Sequence, residues 1–152
     1  MRSYQGINPR LSERLTAAGP DAQRRVASAI VTMIADRVPV DGAFHVVQAI
    51  AAEQFGASDL TNWLADAQDA SQDQYEALRD ERDALDEAGK PWPAQKQAEL
   101  TRHRMAARAY EVFASALDRD ADEAAQEAAY VAQTIISPDE IETLIREATA
   151  ES

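Results

Sequence analysis

The sequence predicts an all-α fold, a bundle of about six or seven helices organised round a long antiparallel helical hairpin. Three observations predict it. Apolar residues recur at helical spacing in every periodic segment, and none alternates with polar residues as a half-buried strand would. The five glycines and six prolines sit almost entirely between those segments. Residues that cap helices stand at the segment edges. A chain of 152 residues suits one domain, 1–152, without linker, repeat or low-complexity tract.

Asn8 before Pro9 reads as an N-cap with proline in the first turn, opening a short helix that closes at Gly19. Pro20 starts a second helix with Val26, Ile30, Met33 and Ile34 on one face, broken at Val38-Pro39-Val40. Asp41 is the expected cap of a third helix carrying Phe44, Val47, Ile50 and Ala51, and Gly56 its expected stop. Helices two and three are the most apolar part of the chain and are expected at the centre of the core.

Ser58 caps the first arm of the hairpin, predicted over 58–117. Its seam runs Leu60, Leu64, Ala67, Ser71, Gln74, Leu78 and Leu85, weak in the middle, where Ser71 and Gln74 could restart the helix as a capping box. Ala88-Gly89-Lys90-Pro91-Trp92-Pro93 is a tight turn that makes the flanking helices antiparallel neighbours. The returning helix, about 93–117, shows Ala98, Met105, Ala109, Val112, Phe113 and Ala116 on one face. Asp118 to Asp122 cap an alanine-rich helix ending near Ile135 and Ile136. Ser137-Pro138-Asp139-Glu140 is a full capping box for a last helix bearing Ile141, Leu144 and Ile145.

Composition narrows the function. Twenty-seven acids against 15 bases give a net charge of −12, which opposes direct nucleic-acid or anionic-lipid binding through phosphate neutralisation. With no cysteine there is no disulfide, thiolate metal site or cysteine nucleophile. Residues 26–35, the longest nearly apolar run, are about half a membrane span. Met1 to Gly6 contain no apolar leader core, and a cytoplasmic location is expected. Lys90 and Lys96 are the only lysines, an arginine bias typical of GC-rich bacterial coding rather than of a chemistry.

The charge is divided. Residues 66–87 hold nine acids and two arginines, net −7, whereas residues 90–108 hold five cations and Glu99, net +4. Opposite charge can steer one arm onto the other, or leave the acidic arm as a surface for a basic partner. Candidate partner-binding residues are Asp73, Glu76, Asp80 and Asp83, with Tyr75 amid the carboxylates and Trp92 between two prolines at the tip. Trp63, beside Leu64 on the seam, is expected in the core.

Catalytic chemistry finds little support. Asp41 with His45, and Glu99 with His103, are i,i+4 pairs that could each offer two metal ligands, weak candidates because nothing supplies a third. His45 reads as a partly buried structural residue and His103 as solvated. Asp118, Asp120 and Asp122 imitate half a calcium loop but lack its glycine and its glutamate, Glu123 and Ala129 standing there instead. Nucleophile elbows, phosphate-cradling loops and Glu-x-x-Glu motifs are absent. No cofactor is predicted. The expectation is a non-catalytic module binding a basic or amphipathic protein. The alternatives are an immunity-type inhibitor of a basic toxin or nuclease, and a metal- or ligand-dependent helical enzyme. A homodimer fits any of these, a second copy supplying the half that the weak seam lacks.

Overall fold

The structure, a computed structural model, describes residues 4–150; Met1, Arg2 and Ser3 of the N-terminal stretch read above lie outside them. After a single 3-10 turn at Tyr4–Gly6, seven α-helices follow among the described residues, with no strand. They are α1 (Pro9–Ala18), α2 (Pro20–Arg37), α3 (Ala43–Ala51), α4 (Asp59–Glu87), α5 (Ala94–Ser115), α6 (Ala121–Ala132) and α7 (Pro138–Thr149). Among the described residues, none of the helices is long and apolar enough to cross a membrane.

Local chemistry sets most of these boundaries. Asn8 Oδ1 accepts the Leu11 N–H at 3.2 Å. Ser58 and Thr61 form a reciprocal capping box, as do Ser137 and Glu140. Asp120 caps α6 by accepting the Glu123 N–H at 2.9 Å, while Asp118 accepts the Asp120 N–H at 2.8 Å. Those acids thus serve a helix start, as expected. Three boundaries differ from expectation. Asp41 does not cap α3, because Gly42 holds the N-cap position at φ 105° and Asp41 lies outside the helix. α3 stops at Ala51, and Gly56 instead turns at φ 84° so that its N–H reaches the Leu117 carbonyl at 2.9 Å. α6 ends at Ala132, and the next N–H groups fold back in tight turns before Ile136 returns to the core.

α2 runs through the centre, with Val26, Ala27, Ile30, Val31 and Ile34 fully buried. Its main partner is α6 rather than α3, which corrects the expected centre. Ala124, Ala125, Ala128, Ala129 and Ala132 are fully buried, and residues this small let the α6 backbone approach α2 closely. α3 lies to one side. Val46, Ala49 and Ile50 are buried, but Phe44 is 71% exposed. A buried polar set joins α1 to α6: Ser12 Oγ donates to Gln126 Oε1 at 2.8 Å, and Gln126 Nε2 returns a bond to the Ser12 carbonyl at 3.1 Å.

α4 is one unbroken helix, so Ser71 and Gln74 do not restart it. It packs extensively on α5, with Glu81 beside Lys96 near the turn and Trp63 beside Tyr110 at the far end, an antiparallel register. The seam holds Leu64 and Leu78 buried, while Ser71 and Leu85 are half-buried. Gln74 is exposed, and Tyr75 takes the next contact position. Ala98 is also exposed, and Leu100 is buried in its stead. Ala98 shares a helix face with Met105 and Val112, but borders an open cavity beside Val38 and Pro39 instead of packing into the core.

Candidate functional site

α4 carries the strongest surface feature. Asp66, Asp69, Asp73, Glu76, Asp80, Asp83 and Glu87 follow one another at alternating spacings of three and four. That rhythm keeps side chains on one side of a helix of 3.6 residues per turn. Leu64, Leu78 and the half-buried Leu85 occupy the opposite side, against α5, so the carboxylates form a ridge facing away from the molecule. All are exposed except Glu76, which is half-buried and accepts a bond from Gln72 Nε2 at 3.1 Å. From Asp66 to Glu87 the ridge runs about 31 Å at 1.5 Å per residue.

The molecule neutralises little of it. Arg79 and Arg82 lie 3.8 and 3.9 Å from Asp80 and Asp83, loose contacts between sequence neighbours. Lys96 with Glu81, at 3.0 Å, is the one ion pair between the two arms among the described residues, and Glu81 is not on the ridge. Lys90, Arg102 and Arg104 are exposed without an ion pair there, and Arg108 binds Glu111 at 2.8 Å on its own helix. Opposite charge therefore joins the arms at a single point.

Asp73, Glu76, Asp80 and Asp83 share the ridge, while the two aromatic candidates stand off it. Tyr75 is half-buried on the flank, with the Arg79 guanidinium 5.7 Å from its ring. Trp92 is half-buried in the hairpin turn and donates its indole N–H to Gln97 Oε1 at 3.1 Å. Trp63 is not a core residue but 43% exposed. It meets Tyr110 edge-on at 5.8 Å, because Leu64, one residue and about 100° further round, takes the buried place. Asp41 lies near the Tyr110 hydroxyl, and its charge adds to burial in raising that phenol above its ordinary range. Asp66, Asp69 and Glu87 extend the ridge beyond the four candidate acids, and the alternating spacing across the whole arm is the sequence signal for it.

The weak metal candidates do not assemble. Asp41 sits before the start of α3, so it shares no helix face with His45. His45 is exposed, against the partly buried place expected for it, with its ring edge-on to Phe44 at 5.9 Å. His103 is half-buried rather than solvated, one turn from half-buried Glu99 on α5. Among the described residues, no group of three or more histidines or carboxylates could hold a metal ion. Set against family models, curated proteins and solved structures, the chain matches none of them.

Proposed function

We propose that this chain is a non-catalytic interaction module whose α4 ridge engages a basic protein partner. One observation carries the reading: seven carboxylates spaced along about 31 Å of one helix, with almost no internal counter-charge. Such a ridge suits a partner that presents lysine or arginine along a helix or strand. Its field speeds encounter and selects the sign of the partner's charge.

Magnitude sets the character of the binding. Exposed ion pairs contribute about 0.2–1 kcal/mol each, so seven of them supply roughly 1–7 kcal/mol before the cost of association. Charge alone therefore gives fast, salt-sensitive and weak contact, since millimolar binding already needs about 4 kcal/mol net, and tighter binding requires apolar contacts beside the ridge. The test is capture from the source lysate at low and high salt, comparing the native chain with Asp73→Asn/Glu76→Gln/Asp80→Asn/Asp83→Asn. A basic protein retained at low salt by the native chain and lost by the variant supports the reading. Equal capture by both, or none above background, removes it.

A further inference from the structure

A second surface lies between α2 and α7. The two helices pack side by side and run antiparallel: Arg37 binds Glu140 at one end, and Arg25 donates to the Ala148 carbonyl at 3.1 Å near the other. A groove of about 620 Å³ opens between them. Ala29 and Met33 of α2 and Leu144 of α7 supply its apolar surface, Leu144 buried and the other two half-buried. Thr32 and Thr143, both exposed, stand midway along it, one on each helix.

Every charged side chain that lines this groove is a carboxylate. Glu140 is taken by Arg37, whereas Asp36, Asp139 and Glu147 are exposed and make no ion pair among the described residues. Arg25, a turn beyond Ala29, is engaged with the Ala148 carbonyl and does not line the groove. The antiparallel register puts Asp36 at the same end as Asp139, and Glu147 toward the other. Asp139 and Glu147 are eight residues apart on α7, about 12 Å along its axis. The groove thus holds three open negative charges at two poles, an apolar floor between them and hydroxyls at its middle. A metal ion does not suit separated poles, and no group of three or more histidines or carboxylates among the described residues could hold one.

We propose that this groove binds a linear aliphatic polyamine, laid along the two helices. One terminal ammonium meets Asp36 and Asp139, and the other meets Glu147. The methylenes cover Met33, Leu144 and Ala29, as a lysine stem covers apolar surface while its head stays in water. A central ammonium lies at Thr32 and Thr143. The Thr32 hydroxyl donates to the Ser28 carbonyl at 3.0 Å, which leaves its oxygen lone pairs to accept from that ammonium. Lengths agree, because spermidine, a trication, extends about 11 Å at roughly 1.2 Å per single bond. Charges agree as well, since its three ammonium groups face three open carboxylates. The inference stands apart from the α4 ridge.

The test is titration of the isotope-labelled chain with spermidine, followed by amide NMR shifts at about 150 mM salt. The screening length there is about 8 Å, so the bulk attraction of a −12 chain is largely removed. Saturable shifts are expected in residues 29–36 and 139–147, ahead of any on α4. 1,4-Diaminobutane, about 6 Å long, reaches one pole only and should bind about tenfold more weakly. Asp139→Asn/Glu147→Gln should weaken spermidine about fivefold, the effect of two exposed ion pairs. Thr32→Trp fills the middle of the groove, leaves every charge in place and should weaken it about tenfold. Asp73→Asn/Asp80→Asn on the ridge should change affinity less than about twofold. Magnesium chloride at equal charge concentration separates a site from a counter-ion cloud, and matching shifts overturn the proposal. So do larger spermidine shifts along α4, equal affinity for the two amines, or indifference to either groove variant with folding intact by circular dichroism.

Discussion

Glu140 serves two helices at once. Its carboxylate binds Arg37 at the end of α2 and accepts the Ser137 N–H at 3.0 Å to close the α7 capping box. The Arg37 bond first, and the Ser137 N–H second, lower its pKa to about 2. A carboxyl held below its unfolded value stabilises the fold above the unfolded value and loses that contribution as pH falls through the folded one. Glu140→Gln should therefore lower the urea midpoint at neutral pH, and the gap to the native chain should close between about pH 4.5 and about pH 2. Urea titrations across that window check it. Gly42 is constrained differently: its φ is 105° and an added Cβ would stand 2.9 Å from the Trp63 ring. Gly42→Ala should cost about 1–3 kcal/mol, the usual penalty of a side chain held in a strained backbone region. It should also shift Trp63 fluorescence as the ring is pushed off Tyr110.

Among the elements, α4 is the least supported for its length. Its first turns pack into the bundle through Leu60 and Leu64, but beyond Ser71 the main helix against it is α5. Two helices sharing one thin seam bury less apolar surface than a bundle and open more readily. Amides of residues 75–100 should therefore exchange with solvent before those of α2 and α6, and native-state hydrogen exchange checks that order. Ser58→Ala should cost about 1 kcal/mol by removing the α4 cap, read from denaturant unfolding. The limits of this hairpin were legible because Ser58 and the Pro91-Trp92-Pro93 turn act locally. Gln74 and Ala98 were misplaced for a different reason. Periodicity reports the direction in which a side chain points; whether a neighbour stands there at that height depends on where the bundle ends.

At the scale of the whole molecule the net charge of −12 works against compaction. Raising salt from about 10 mM to about 150 mM shortens the screening length from about 30 to about 8 Å. The melting temperature should rise over that range, while capture of a basic partner by the ridge should weaken. A calorimetric salt series beside the capture experiment checks both signs. Arg24 shows how far apart in sequence the joints of this molecule are. It lies 3.5 Å over the Phe55 ring and donates to the Asp118 and Arg119 carbonyls at 2.7 and 2.9 Å, tying α2 to the end of α5 and to the loop after α3.

By itself the sequence determined the all-helical class, most helix boundaries apart from those of α3 and the end of α6, the acidic arm of the hairpin and the lack of a recognisable catalytic motif. Capping boxes, prolines and turns act within a few residues, and net charge needs no geometry, so these are readable along the chain. Only the tertiary structure decided that alanine-rich α6, not α3, backs the central helix, that Trp63 faces outward, and that the acidic ridge of α4 keeps so few counter-ions. Burial and neutralisation depend on partners brought from distant positions, and close approach favours small residues whose value a hydrophobic pattern understates.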